Sequence, residues 1–379
     1  MRKQGRDPRE LPAAILALRL WEEIAAALPE DIGWRRGGIA YLAETEAELA
    51  RHAAWLPHAR AHQLDTRLLS PAETDGLLRQ ERRRFKGALF TASDARAEPG
   101  LAVPALARAA AAEGAVIQQD CAVRALDLQA GRVAGVITER GRIGCQAVVL
   151  AAGAWSALFL RHHGLDLPQL KVKASVQRTT PGPLITEAAV GASRAAFRRR
   201  RDGGYTLARS GAVTFDITPA ALRHCRAFLP ALREKWGEMK RRIGRAFVDE
   251  LITSADWRAD RPTPFERMRV LDPSPDHAAL DEVLRDAGTL FPQLAALRPV
   301  ERWAGMIDVT PDEIPVLGPV EDLPGLLVVT GFSGHGFGIG PAAGYLAAQL
   351  ARGQTPLVDL HPFRFGRFRE RDVTRLPAA

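Results

Sequence analysis

Cysteine is scarce: Cys121, Cys145 and Cys225 are the three in 379 residues, and none sits in a C-x-x-C pair or at a Cys/His ligand spacing. That excludes a disulfide framework and a metal centre of the zinc type, and makes the reducing cytoplasm the expected compartment. Long apolar runs are also missing. The longest weakly polar stretch, residues 148–160, is about 13 residues and holds Gly153 and Ser156, too short for a membrane span. The N-terminus, with Arg2, Lys3, Arg6, Asp7, Arg9 and Glu10, lacks the apolar core of a signal peptide. Lysine is the third scarcity: Lys3, Lys86, Lys171, Lys173, Lys235 and Lys240 are all there are, so arginine carries nearly all of the +8 formal charge. The densest basic run, residues 198–201, lies beside Asp202 and Gly203 without interleaved aromatics. It reads as a solvated loop, and no nucleic-acid partner is expected.

What is present is globular material, 46% apolar, enough for two domains or one large interrupted one. Leu11, Ile15, Leu18, Trp21 and Leu28 recur at helical spacing until Pro29 stops them. Residues 37–42 read as a strand. Thr45 with Glu48, and Ser70 with Pro71 and Glu73, are helix N-terminal signatures. From Gly87 onward the order becomes regular: strand 88–90, helix 102–113, strand 115–117, a hairpin of 122–128 and 132–138 about Gly131, and a buried apolar strand at 147–152. The strand ends in Gly153, Ala154, Trp155 and Ser156. In an open α/β sheet, ligands gather at such carboxyl ends. Residues 220–257 read as a long helical stretch containing Trp236, a lid or an appendage facing another subunit.

The densest glycine usage follows the apolar run 326–330. Gly331, Phe332, Ser333, Gly334, His335, Gly336, Phe337 and Gly338 lead into an alanine-rich helix with Pro341 expected just inside its start. Backbone N–H groups left open at a helix N-terminus suit a phosphate or another anionic group. Gly338, Gly340 and Ala343 also fit a relaxed dinucleotide-binding pattern, with Asp359 about 20 residues on. That match is a decoy, because the fingerprint should begin in the turn that leaves the strand.

Three motifs together carry a resemblance: residues 148–156; Trp303, Ala304 and Gly305 through Asp308 and Asp312, with Pro315 and Gly318; and Gly331 through Phe337. In their order and spacing the sequence resembles the FAD-dependent amine and amino-acid oxidoreductases of the D-amino-acid oxidase superfamily, especially the branch with sarcosine oxidases, glycine oxidases and proline or dimethylglycine dehydrogenases. The resemblance implies a mixed α/β fold. A Rossmann-like FAD-binding domain (1–32, 86–165 and 315–379) would be interrupted by a substrate-binding domain with a mixed β-sheet (33–85 and 166–314). It also implies oxidation of a C–N bond in an amino acid or N-substituted amino acid, with hydride passing to flavin N5 and the imine hydrolysed by water. Gly153, Ala154, Trp155 and the loop from Gly331 to Gly338 would line the flavin, and His335, Arg2 and Arg302 are the candidates for the substrate side.

Several departures from that family bear on mechanism. Gly305 matches the position where some sarcosine oxidases attach flavin to cysteine, so FAD is expected to be non-covalent. Gly338 replaces a carboxylate-binding lysine. No lysine occurs between Lys173 and Lys235, where those oxidases keep one that promotes oxygen reduction, so the electron acceptor, oxygen or a carrier, stays open. Relatives open with a strand, G-x-G-x-x-G and a helix, roughly 40 to 50 residues of a βαβ unit that this sequence does not contain. Two readings follow: a start placed downstream of the native one, or a truncated flavin-fold relic serving as an interaction subunit without activity.

Overall fold

The computed structural model describes residues 1–80, 84–209, 213–235 and 239–370. A short turn, Pro8–Glu10, enters helix α1 (Leu11–Ala27), whose Pro12 lies in the first turn where a missing N–H costs nothing. Then come β1 (Ile39–Ala43), α2 (Glu46–Ala54), α3 (Leu56–Ala61), β2 (Thr66–Leu69), α4 (Pro71–Leu77) and β3 (Gly87–Thr91). Helix α5 (Pro99–Ala112) leads to β4 (Val123–Gln129), β5 (Arg132–Thr138), β6 (Gly141–Gly144) and β7 (Val148–Leu150). After α6 (Ser156–His162) run β8 (Leu170–Thr179), β9 (Ala189–Gly191), β10 (Ala196–Arg199), β11 (Tyr205–Ala208) and β12 (Val213–Asp216). Next are α7 (Pro219–Arg223), α8 (Cys225–Lys235), β13 (Met239–Arg242), α9 (Arg245–Ile252), α10 (Pro264–Arg267) and α11 (His277–Leu290). The order closes with β14 (Pro299–Val309), β15 (Val316–Pro319), β16 (Leu326–Thr330) and α12 (Gly336–Ala351).

The large sheet is mixed, in the order β13-β12-β8-β11-β10-β9-β1-β3-β2, with β14 added on β8. Strand pairs β1–β9 and β12–β13 are parallel and the rest antiparallel. Helix α11 covers one face: Val283, Ala287 and Leu290 pack with Phe197, Tyr205, Leu207, Ala40 and Leu42 in one core. Side chains alternate along strands, so Tyr41, Arg198 and Thr206 stand on the opposite face. From this sheet β14 brings Met306, Ile307 and Asp308 to the cavity described below.

In a separate three-stranded sheet, β16 pairs parallel to β7 (Leu326 opposite Val148) and antiparallel to β15. All five residues of β16 are buried. Leu326 and Val328 face a core with Leu150, Phe159 and Leu160, whereas Val329 faces α1 and α12 through Ala13, Leu16, Ile339 and Leu346. Being covered on both sides explains the unbroken apolar run in its sequence. The meander β4-β5-β6 flanks this core through Leu126 and Val133.

Local signals hold where they are chemically complete. Thr45 and Ser70 both form reciprocal capping boxes, with Glu48 and Glu73. Three expectations need correction. Residues 115–117 form no strand: Val116 is 83% and Ile117 53% exposed, so the run lacks a neighbour to pair with. Residues 220–257 are broken helices α7, α8 and α9 with β13 inserted, because β13 finds a parallel partner in β12; Trp236 lies outside the described residues. Helix α12 starts at Gly336, which puts Pro341 sixth in the helix and removes one interior hydrogen bond.

Candidate active site

A knot of polar groups joins the carboxyl ends of β7, β14 and β16. Asp308 Oδ2 accepts hydrogen bonds from Gly331 N (2.6 Å) and Gln169 Nε2 (3.1 Å) and lies 3.0 Å from the Thr330 hydroxyl. The same hydroxyl accepts from Gln169 Nε2 at 3.0 Å and lies 3.2 Å from Gly153 O. Gln169 Oε1 accepts from Ala157 N at 3.1 Å, and Asp308 O accepts from Ser333 N at 2.9 Å. Gln169 and Thr330 are buried, so each partner is needed to offset desolvation. The knot fixes where the glycine loop leaves its strand.

Loop geometry then demands glycine at its first residue. Gly331 has φ +73°, and a Cβ there would lie 2.5 Å from Thr310 Cγ2. Ser333 also takes a positive φ, 49°, and its hydroxyl donates to Gly331 O at 3.2 Å. Beyond the loop, Phe337 turns away to pack at a tilt against Trp21 of α1 (centroids 5.0 Å apart), while Trp21 Nε1 donates to Gly338 O at 3.0 Å.

Between the loop, β14 and α12 opens a cavity of about 560 Å³, walled by Gly153, Ile307, Phe332, Gly334, Gly340 and Gly344 among others. Glycines here are not making room for another element of this chain. At Gly153, Gly340 and Gly344 an added Cβ would meet no atom within 4 Å. Helix α12 therefore turns a bare backbone stripe toward open space, a surface against which a flat or extended group can lie in direct contact.

Residues 2–350 match the family described as FAD dependent oxidoreductase, DAO. The chain belongs to this family. Among solved structures, the chain is similar to an L-amino acid deaminase from Proteus myxofaciens, in complex with anthranilate, at a TM-score of 0.92 and 29% identity, covering 96% of this chain and 83% of that one. It is also similar to the glycine oxidase of Pseudomonas aeruginosa, 29% identical over 61% of this chain and 49% of that protein. A D-amino acid dehydrogenase of Sinorhizobium medicae is 27% identical over 94% of this chain and 72% of its own length. This chain spans 49% and 62% of the two glycine oxidases, from P. aeruginosa and P. putida, that it matches. No helix among the described residues is long and apolar enough to cross a membrane.

In this DAO-family chain the residues singled out from sequence fall into three groups. Gly153, Phe332, Gly334 and Gly336 line the cavity, with Ala154, Trp155, Gly331, Ser333 and His335 in the turns that carry them; Phe337 and Gly338 belong to the α12 turn facing α1. Arg2 lies on the sheet face opposite α11: its guanidinium bonds the Tyr41 hydroxyl and sits 5.4 Å from that ring's centre. Arg302 stands apart, on the α11 side of β14, where it donates to Gln177 Oε1 at 3.1 Å and pairs with Asp281 at 2.5 Å. Arg302 is not among the residues that line the cavity, to which β14 contributes Met306, Ile307 and Asp308.

Sequence reasoning missed Gln169, Thr330 and Arg198. The run 198–201 is no plain solvated loop: Arg198 and Arg199 belong to β10. Arg198 Nη1 is buried without a hydrogen-bond partner, and burial holds its guanidinium pKa below the ordinary value. The one signal that could have found it is Phe197, an apolar residue whose alternation aims Arg198 at the opposite face. Asp312 accepts from Ile314 N at 3.3 Å in the turn after β14 and also makes a buried two-pronged pair with Arg367 at 3.0 and 3.1 Å.

Proposed function

We propose that this chain carries the flavin-ring and substrate portions of an enzyme that oxidises the C–N bond of an amino acid or N-substituted amino acid. The observation that carries the reading is the glycine-walled cavity at the N-terminal end of α12, whose missing side chains leave backbone open to a planar group. Those residues fit FAD held without a covalent bond. Gly153, Gly334, Gly336 and Gly340 would lie against it, and the α12 N-terminus offers the positive end of a helix dipole. Bound there, FAD supplies the two-electron acceptor for the hydrogen on the substrate carbon.

The rest falls to the chain's own groups. Asp308, Gln169 and Thr330 hold Gly331 and Gly153 in register at the cavity wall. Ile307 touches the loop, since a Cβ on Gly334 would lie 3.6 Å from Ile307 Cδ1, and it closes that end with apolar surface. On the sheet face opposite α11, Arg2 and Arg198 supply the positive charge that would take the substrate carboxylate, and Arg302, engaged with Asp281, is left out of this role. His335 lies behind the loop beside Glu10, outside the cavity lining, and is left out of the reaction.

Purified protein tests the reading directly. Saturating FAD should be retained with the visible flavin spectrum, and a panel of amino acids and N-methyl amino acids should bleach it without oxygen. Failure to retain flavin supports the inactive interaction subunit instead; retention without bleaching by any member refutes the substrate class.

A further inference from the structure

Behind the glycine loop lies a buried charged cluster that the proposed chemistry does not use. Glu10 ends the turn Pro8–Glu10, and its Oε2 is 3.8 Å from Arg6 Nη1 and 3.9 Å from His335 Nδ1. Exposure of the three side chains is 2%, 4% and 20% respectively. Both separations exceed a hydrogen bond, and Glu10 Oε1 and Arg6 Nη1 are buried with no hydrogen-bond partner. Such groups are costly to keep ionised apart from one another.

His335 is also the hinge of the loop. It is the N-cap residue of α12; its N–H donates to Phe332 O at 2.8 Å, and its carbonyl accepts from Gly338 N and Ile339 N at 3.1 and 3.3 Å. Its neighbours Gly334 and Gly336 wall the cavity. A force on the imidazole is therefore felt one residue away by the cavity surface.

We propose that Glu10 and His335, 3.9 Å apart, titrate as one coupled unit and act as a positioning pair, clasping the loop 331–338 to the N-terminal turn by their attraction when the pair holds one proton and loosening it when that proton leaves. This goes beyond the proposed reaction and does not depend on it. The charges that face Glu10 are Arg2, Arg6, Asp7 and Arg9 on its own segment, Asp312 from the turn after β14, and His335 from α12. Arg6 and the α12 dipole favour the carboxylate; burial and the two aspartates oppose it. The balance leaves the Glu10 carboxyl, raised chiefly by burial to about 7, competing with an imidazole for the same proton.

The test is a pH titration from 5 to 9 of the full chain with isotope-labelled histidines, His335 being assigned by its loss in H335N. His335 should titrate in two steps in the wild type and in one step in E10Q, with a midpoint lowered by about one pH unit. Hydrogen exchange of residues 331–338, corrected for intrinsic rates, should vary with pH in the wild type and be flat in E10Q. A one-step wild-type curve overturns the proposal, as does a midpoint that E10Q leaves in place or loop exchange that it leaves unchanged. Should E10Q not fold, the wild-type curve alone decides.

Discussion

Gly344 offers a substitution whose effects on stability and on ligand binding should have opposite signs. It is the ninth residue of α12, it lines the cavity, and an added Cβ would meet no atom within 4 Å beyond its own helix backbone. An interior helical glycine is less favourable than alanine by about 0.5 to 1 kcal/mol, chiefly through backbone entropy in the unfolded chain. With no clash to offset that gain, Gly344→Ala should stabilise the protein by about that amount, read as a higher urea midpoint at unchanged slope. Gly344→Leu keeps the helical gain but sends four carbons into the cavity. If the stripe is the bed of a flavin, a tenfold or greater loss of FAD affinity follows, about 1.4 kcal/mol or more, read by quenching of flavin fluorescence. Two results would refute the reasoning. A destabilised Gly344→Ala would mean the position is packed, and a Gly344→Leu protein binding FAD as the wild type does would move the flavin elsewhere.

Asp308→Ala strips three donors of their acceptor and should cost about 3 kcal/mol in chemical denaturation while weakening FAD retention; a loss under about 1 kcal/mol would show the knot to be dispensable. Asp312→Ala leaves the Arg367 guanidinium buried and unpaired, at a cost of about 3 to 5 kcal/mol, and Asp312→Ala with Arg367→Met should recover most of it. An additive double mutant would contradict the pairing. Glu10 gives a pH signature. Its folded pKa, about 7, exceeds the ordinary 4.5, so the folded state binds the extra proton and this contribution is full below 4.5 and lost as pH rises through 7. Relative to Glu10→Gln, the wild type should lose on the order of 3 kcal/mol across that window, and parallel stability curves would refute the assignment.

Legibility in the sequence followed the range of the interaction. The capping boxes at Thr45 and Ser70 are complete within four residues, and the glycine loop announces a backbone that must turn sharply at Gly331. Both were readable in one dimension. Gln169 and Thr330 were not, because their hydrogen bond joins positions 161 residues apart and nothing near either residue marks it. Arg198 was hidden by company: four successive arginines look alike until the strand sends alternate ones to opposite faces. Apolar content alone misled at residues 115–117, since a strand exists only where another strand completes its hydrogen bonds. Arg302 was misplaced for a related reason. Its neighbour Trp303 carries the motif, yet adjacent strand residues point to opposite sides, and Arg302 answers to α11.

Asp308 has a consequence for how the molecule is assembled. One carboxylate oxygen waits for groups 22, 23 and 139 positions distant in sequence, so its contacts cannot close until the large sheet and the β7–β16 layer have met. Long loops of that kind close late and slowly. The face that carries the cavity is thus expected to be among the last parts of the molecule to set, and whatever ligand grips it feeds its binding energy back into the docking of two layers. Thermal midpoints measured with and without ligand would report that coupling across the whole chain.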